Sequence, residues 1–192
     1  KKQVLQLHFG GGTPTYLSES QLEQLLSAIN NVFDINLKGE IAIEIDPRTV
    51  DKSKIRFLKA SGFNRISIGV QDFDQTVQQS VNRVHSFELV KEVYDSCREN
   101  GFSSINFDLI YGLPHQSIES FTKTINLVLA LKPDRIALYS FAHIPKLKPH
   151  QNKMNQAVMP STNEKLEIFL TARELLIQRN YIAVAMDHFA LK

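Results

Sequence analysis

Apolar residues recur along this chain with two periods that take turns. Over roughly 3–9, 40–45, 65–70, 104–110, 135–141 and 181–186 they fall in short runs rich in β-branched and aromatic side chains, which predicts strands. Between these runs the spacing widens to three and four. That predicts helices from Ser18 onward and near 51–60, 86–100, 117–131 and 162–179, with a shorter one near 74–80. Strand and helix alternating in this order predict an α/β fold of about five βα units plus a final strand. Ser18 offers its hydroxyl to the first helix and Gln21 completes a capping box, with Leu22, Leu25, Leu26, Ile29, Val32 and Phe33 as the expected buried stripe. Ser61-Gly62-Phe63 and Asn100-Gly101-Phe102 each close a helix and lead into a strand, as Asn180-Tyr181 does later. The one long loop is expected over 145–160, where Lys146, Lys148 and Lys153 stand among few apolar residues.

Because side chains alternate across a strand, the two faces of each predicted strand can be compared. One face carries Leu5, Leu7 and Phe9, then Ile41, Ile43 and Ile45, then Ile66, Ile68 and Val70, then Ile105, Phe107 and Leu109, and suits packing against helices. The other is small near the strand start and polar toward its end, where His8, Glu44, Gln71 and Asp108 fall. An open doubly wound sheet buries both faces and would show apolar residues on each, so a partial (β/α) barrel of parallel strands is favoured. In such a barrel the C-terminal strand ends form the functional rim.

Bulk properties narrow the class. A chain of 192 residues, 43% hydrophobic and 22% charged, suits one domain over 1–192 with a sizeable core. A formal net charge of +2 gives no field that implies nucleic acid, and no apolar run is long enough to span a membrane. The single cysteine, Cys97, forms no internal disulfide and fits a reducing compartment, so a cytoplasmic location is expected. The first residues, Lys1-Lys2-Gln3-Val4-Leu5, enter a strand directly without Met or a signal-peptide layout, so the chain is expected to begin inside a longer protein.

Candidate chemistry gathers after the strands. Gly10-Gly11-Gly12-Thr13 lets the backbone approach a ligand closely, with amides that can face an anion. It lacks the Lys-Ser/Thr of a P-loop and the Gly-x-Gly-x-x-Gly dinucleotide spacing. Glu44 and Asp108 are carboxylates at strand ends that need a hydrogen-bond donor or a ligand amine, with Arg65 and Arg135 as the alternative partners for Glu44. Asp46-Pro47 suits a turn start. The Gln71 amide can read a hydroxyl or a carboxylate, whereas Asp72 suits an Asx-type helix start. Arg83 is a natural bidentate partner for a carboxylate. His8, His143 and His188 show no metal-binding spacing, and Cys97 lies in a helical stretch, so neither a metal site nor a thiol nucleophile is expected.

Taken together, Phe9-Gly10-Gly11-Gly12-Thr13-Pro14-Thr15-Tyr16-Leu17, Glu44-Ile45-Asp46-Pro47-Arg48 and Gly69-Val70-Gln71-Asp72-Phe73 resemble the radical S-adenosylmethionine enzymes. Val81-Asn82-Arg83, Asn106-Phe107-Asp108-Leu109-Ile110-Tyr111-Gly112-Leu113-Pro114 and Met186-Asp187-His188-Phe189-Ala190 point, within that family, to the branch that oxidises a porphyrinogen without oxygen. The resemblance spans nearly the whole chain. It implies S-adenosylmethionine and a four-iron four-sulfur cluster as cofactors, a tetrapyrrole substrate, and an electron donor for the cluster. It also implies a reaction in which a deoxyadenosyl radical removes hydrogen from a propionate and decarboxylation to vinyl follows, on two propionates. By the same resemblance Gly11, Gly12, Thr13, Glu44, Gln71, Arg83, Asp108 and Ala142 contact the cofactor; strand phase singles out Glu44, Gln71 and Asp108 independently. The cofactors carry such chemistry, so no catalytic triad is needed.

The chain departs from the family pattern in two places. The family's Cys-x-x-x-Cys-x-x-Cys loop is absent, since Cys97 is the only cysteine, and that loop is expected just before Lys1. By itself the chain is therefore expected neither to bind the cluster nor to turn over. Val84-His85 follows Arg83 where related oxidases often place a glutamine. The rival function is a haem-binding chaperone of the same superfamily, against which the motifs at 69–73 and 186–189 weigh.

Overall fold

The computed structural model describes residues 1–154 and 156–192; Asn155, within the expected loop, lies outside the described residues. Seven strands alternate with six helices in the described chain: β1 (Lys2–Phe9), α1 (Glu19–Val32), β2 (Phe33–Ile45), α2 (Lys52–Ala60), β3 (Arg65–Gln71), α3 (Gln75–Ser80), α4 (Phe87–Glu99), β4 (Ser104–Tyr111), α5 (Ile118–Leu131), β5 (Arg135–Ser140), α6 (Thr162–Gln178), β6 (Tyr181–Ala183) and β7 (His188–Leu191). The strands form one mostly parallel sheet in the order β1-β2-β3-β4-β5-β7-β6, so it is not closed and ends on β1 and β6. An α/β architecture of the partial-barrel kind is what the alternating periods predict. No helix among the described residues is long and apolar enough to cross a membrane.

The chain divides into two compact units, Lys1–Gly69 with Glu88–Asn106, and Val70–Phe87 with Phe107–Lys192. In the first, β1 pairs parallel with β2 and β2 with β3. Its core is the apolar face of those strands, Ile41, Ile43, Ile45, Ile66 and Ile68, all buried. The capping box of α1 forms as expected: Ser18 accepts from the Gln21 amide while the Gln21 side chain accepts from the Ser18 amide. The expected stripe beneath it does not. Only Leu22 is buried, Val32 is 62% exposed, and Phe33 belongs to β2. Leu5 is likewise 61% exposed, against the expectation that its strand face packs on helices. Periodicity reports which residues share a face; whether that face is covered depends on what packs against it.

The strand expected at 40–45 begins much earlier, at Phe33, because β2 carries a bulge. Val4 pairs with Ile35 and Gln6 with Glu40, so four residues, 36–39, oppose Leu5 alone. Asn64 braces the bulge: its Nδ2 donates to the Gly39 carbonyl (2.7 Å) and its Oδ1 accepts from the Ile41 amide (2.9 Å). Gly62 and Gly101 adopt left-handed conformations, as does Asn180, matching the predicted helix stops.

In the second unit, Phe107, Leu109, Phe121, Ile136 and Leu138 form much of the core, and α5 starts with its own capping box at Ser117. The single final strand expected over 181–186 is two short antiparallel ones: β7 pairs with β5 and β6 pairs with β7. The four-residue gap between β6 and β7 reverses the chain, which a pattern of alternating residues cannot signal. The expected loop folds into two short 3₁₀ turns, Pro149–Lys153 and Gln156–Val158, and Gln151 ties the first of them to the segment just past β5 by donating to the Ala142 carbonyl (3.0 Å).

Candidate functional site

Within the first unit the structure brings His8, Gly10 and Glu44 together. His8 and Glu44 point from the ends of adjacent parallel strands, and the imidazole Nε2 lies 3.1 Å from Glu44 Oε1. A Cβ on Gly10 would stand 2.7 Å from both of those atoms, so a side chain there would push the exposed ends of this pair aside. Gly11 has φ +106° and, like Gly12, has open space where a side chain would be. Thr13 precedes a short 3₁₀ turn, Pro14–Tyr16, and its side chain makes no capping bond there. The backbone of this loop is exposed and unobstructed. Glu44 is not in the solvent-poor setting expected of it, being 39% exposed, because the polar ends of β1 and β2 stand at the open margin of this unit. Arg65, one of its alternative partners, instead pairs with Glu40 at 2.6 Å. Asp46 does start a turn: it caps Pro47–Thr49 and holds the Arg48 guanidinium at 2.7 Å.

Within the second unit, Gln71 ends β3 in an unusual way. Its φ is 66°, and the Asp72 amide donates back to the Val70 carbonyl across it at 2.9 Å. A three-residue turn with a positive central φ is the strained form of the γ-turn, costing about 1–3 kcal/mol for a residue other than glycine. Gln71 Oε1 is buried and has no hydrogen-bond partner among the described residues. Asp108 is half-buried on the face of β4 opposite the buried Phe107 and Leu109. Arg83, half-buried between α3 and α4, donates its backbone amide to the Gln78 carbonyl (2.9 Å), and Ala142 is exposed just past β5.

Sequence reasoning missed the group that surrounds Gln71. Asp72 is only 1% exposed. Its Oδ1 accepts from the Asp74 amide (2.8 Å) and the Thr124 hydroxyl (2.6 Å), and its Oδ2 from Gln116 Nε2 (2.5 Å). Burial raises the Asp72 carboxyl above the ordinary carboxylate range, while these donors pull the other way. The expected Asx turn is therefore present at Asp72, although Asp74 is the residue that caps α3. Gln116 and Thr124 lie 44 and 52 residues away, separations at which no spacing rule operates. His85, the departure from the family pattern, is buried with Nε2 2.9 Å from the Val70 carbonyl and Nδ1 3.4 Å from Gln78 Nε2. A carbonyl only accepts, so Nε2 carries the proton.

Further along this unit, His188 Nδ1 pairs with Asp187 at 2.6 Å and Nε2 faces the Tyr139 hydroxyl at 3.5 Å. Cys97, in the first unit, is fully buried and its thiol is pushed up to about 12 by that burial. It is neither a nucleophile nor an available metal ligand. No group of three or more metal-binding side chains occurs among the described residues.

Two features suit S-adenosylmethionine, whose methionine end is zwitterionic. The Glu44 carboxylate beside an unobstructed glycine loop can take an ammonium group, and the orphaned Gln71 Oε1 can take a hydroxyl or amine donor. The cluster is different: one buried cysteine cannot replace the thiolates that hold it.

Residues 1–128 match the model of the radical SAM superfamily, and the chain belongs to that family. More narrowly, it is 46% identical over 190 residues to an oxygen-independent coproporphyrinogen III oxidase from Synechocystis, covering 99% of this chain and 41% of the relative. The corresponding Escherichia coli K12 protein is 44% identical over 189 residues, covering 98% and 41%. The structure of the Escherichia coli coproporphyrinogen III oxidase HemN, described as a radical SAM enzyme, superposes with a TM-score of 0.95 over 98% of this chain and 44% of that one. The chain thus spans about two fifths of the curated relatives it matches. An archaeal Elp3 from Methanocaldococcus infernus, at 17% identity, shares the fold alone, with a TM-score of 0.67 over 91% of this chain and 45% of that one.

Proposed function

We propose that a protein carrying this chain oxidises coproporphyrinogen III without oxygen, converting two propionates to vinyl groups to give protoporphyrinogen IX in haem biosynthesis. The observation that carries this reading is the 44–46% identity to named coproporphyrinogen III oxidases over nearly the whole chain. S-adenosylmethionine, when bound, supplies the deoxyadenosyl radical that removes a hydrogen atom from each propionate, with carbon dioxide leaving and one electron passing to an acceptor.

The chain's own part is to bind and orient. In the first unit Gly11, Gly12 and Thr13 offer open backbone to the cofactor, and Glu44 offers a carboxylate to its amine. In the second, Gln71 presents an acceptor oxygen, Arg83 a guanidinium suited to a carboxylate, Asp108 a second carboxylate, and Ala142 a small residue that allows close approach. The cluster's thiolates are no part of this chain, so an electron donor and the cluster act through residues elsewhere in the protein. A cytoplasmic setting accords with one unpaired, buried cysteine.

The test is to reconstitute the longer protein with its cluster under anaerobic conditions and supply coproporphyrinogen III, S-adenosylmethionine and a reductant. Formation of protoporphyrinogen IX together with 5′-deoxyadenosine is expected. Stoichiometric haem binding and transfer with no decarboxylation would overturn the reading in favour of a chaperone.

A further inference from the structure

We propose that Asp72 is a positioning residue: together with Gln116, Thr124, Gln78 and His85 it clamps the strained turn at Gln71 and so fixes where the Gln71 amide meets its ligand. This rests on the reading of Gln71 as a contact to S-adenosylmethionine.

A non-glycine residue held at φ 66° relaxes unless its surroundings over-determine it. Here the backbone on both sides of Gln71 is held. The Val70 carbonyl accepts from the Asp72 amide and from His85 Nε2, both at 2.9 Å. The Asp72 carbonyl accepts from Gln78 Nε2 at 2.8 Å, and the Phe73 amide donates to Thr124 Oγ1 at 3.1 Å. The Thr124 hydroxyl donates its own proton to Asp72 Oδ1. The turn is thus gripped before and after its central residue, while the buried Gln71 Oε1 has no partner among the described residues.

The network also has a direction that requires a carboxylate at 72. The Gly112 amide donates to Gln116 Oε1 at 2.5 Å, which fixes the orientation of the Gln116 side chain. Its nitrogen then faces two acceptors, the Ile110 carbonyl at 3.0 Å and Asp72 Oδ2 at 2.5 Å. An asparagine at 72 would oppose a donor to the Gln116 nitrogen or, flipped, to the Asp74 amide and the Thr124 hydroxyl. Moving the carboxylate to the other side, as in Asp72→Asn with Gln116→Glu, restores the match between 72 and 116 and keeps an acceptor for the Gly112 amide, but sets a Glu oxygen against the Ile110 carbonyl, so it recovers only part of the network.

The experiment measures S-adenosylmethionine affinity and backbone amide exchange in the cluster-loaded protein that carries this chain. The variants are Asp72→Asn, Thr124→Val, Gln71→Ala, the double variants of Gln71→Ala with each of the first two, and Asp72→Asn/Gln116→Glu. Asp72→Asn is expected to weaken binding about tenfold, Gln71→Ala by a similar factor, and their combination no more than about twofold beyond Gln71→Ala alone. Thr124→Val should show the same lack of additivity, and Asp72→Asn/Gln116→Glu should recover part of the affinity that Asp72→Asn loses. Exchange at the Asp72 and Gly112 amides should quicken in Asp72→Asn and slow in part in Asp72→Asn/Gln116→Glu.

Unchanged affinity in Asp72→Asn, or losses that multiply with Gln71→Ala, would overturn the clamp, because a general loss of stability does not depend on Gln71. If Asp72→Asn fails to fold, the Thr124→Val cycle decides between the two outcomes. Wild-type protein that binds no S-adenosylmethionine sinks the cofactor reading instead, and unaltered exchange at Asp72 in the variants then sinks the clamp separately.

Discussion

The glycine-rich loop of the first unit and the Gln71 turn of the second hold the groups proposed to meet a ligand in opposite ways. The loop relies on absence: Gly11 and Gly12 carry no side chain, nothing crowds them, and the neighbouring His8–Glu44 pair is 56% and 39% exposed. The turn relies on enclosure. Gln71 is strained, and a buried carboxylate, two amides, a hydroxyl and an imidazole hold it. An open backbone can adjust to a ligand at little cost, whereas a side-chain amide has rotamer freedom that must be removed before binding. The second arrangement fixes, during folding, the backbone from which that side chain departs.

Substitutions can break this contrast, and the largest effect is expected at Asp72. Asp72→Ala leaves the Thr124 hydroxyl, the Gln116 side-chain amide and the Asp74 backbone amide without their acceptor in a buried setting, and should destabilise the protein by about 3–5 kcal/mol in urea denaturation. A loss below about 1 kcal/mol would mean that the enclosure is not under load. Next is Gly39→Ala in the β2 bulge, where a Cβ would lie 2.1 Å from the Leu5 carbonyl oxygen, a backbone atom that cannot swing away. It should cost about 1–3 kcal/mol and loosen the β1–β2 pairing, read as faster amide exchange along Gln6 to Phe9.

A smaller, signed effect comes from pH. The folded Asp72 carboxyl holds its proton more tightly than the ordinary value of 3.8, so the unfolded chain ionises first. Its contribution is greatest below that value and is lost as pH rises through the raised folded one. The stability of wild type relative to Asp72→Asn should therefore decline as pH rises from about 4 toward neutrality. A rising difference would show that the three donors outweigh burial. The smallest effect is expected at Glu44→Gln: an exposed imidazole–carboxylate pair contributes about 0–1 kcal/mol, so the melting temperature should barely move while affinity for S-adenosylmethionine falls. A large drop in melting temperature would mean that the first unit also depends on its polar groups for stability.

Sequence pattern carried the element order, the capping box at Ser18 and the left-handed stops at Gly62 and Gly101, because each depends on residues within a few positions of one another. Strand phase, which is also local, is what singles out Glu44, Gln71 and Asp108 as candidates. Sequence pattern failed where coverage or chain reversal decides the outcome. The apolar stripe of α1 exists but is largely exposed, β2 begins before its bulge, and the last strand is two. The motif Gly69-Val70-Gln71-Asp72-Phe73 marks Gln71 and Asp72 alike, yet only the tertiary structure separates their surroundings. Residues 44 and 52 positions distant converge on the Asp72 carboxylate, which is fully hydrogen-bonded, while the neighbouring Gln71 Oε1 is buried without a partner among the described residues.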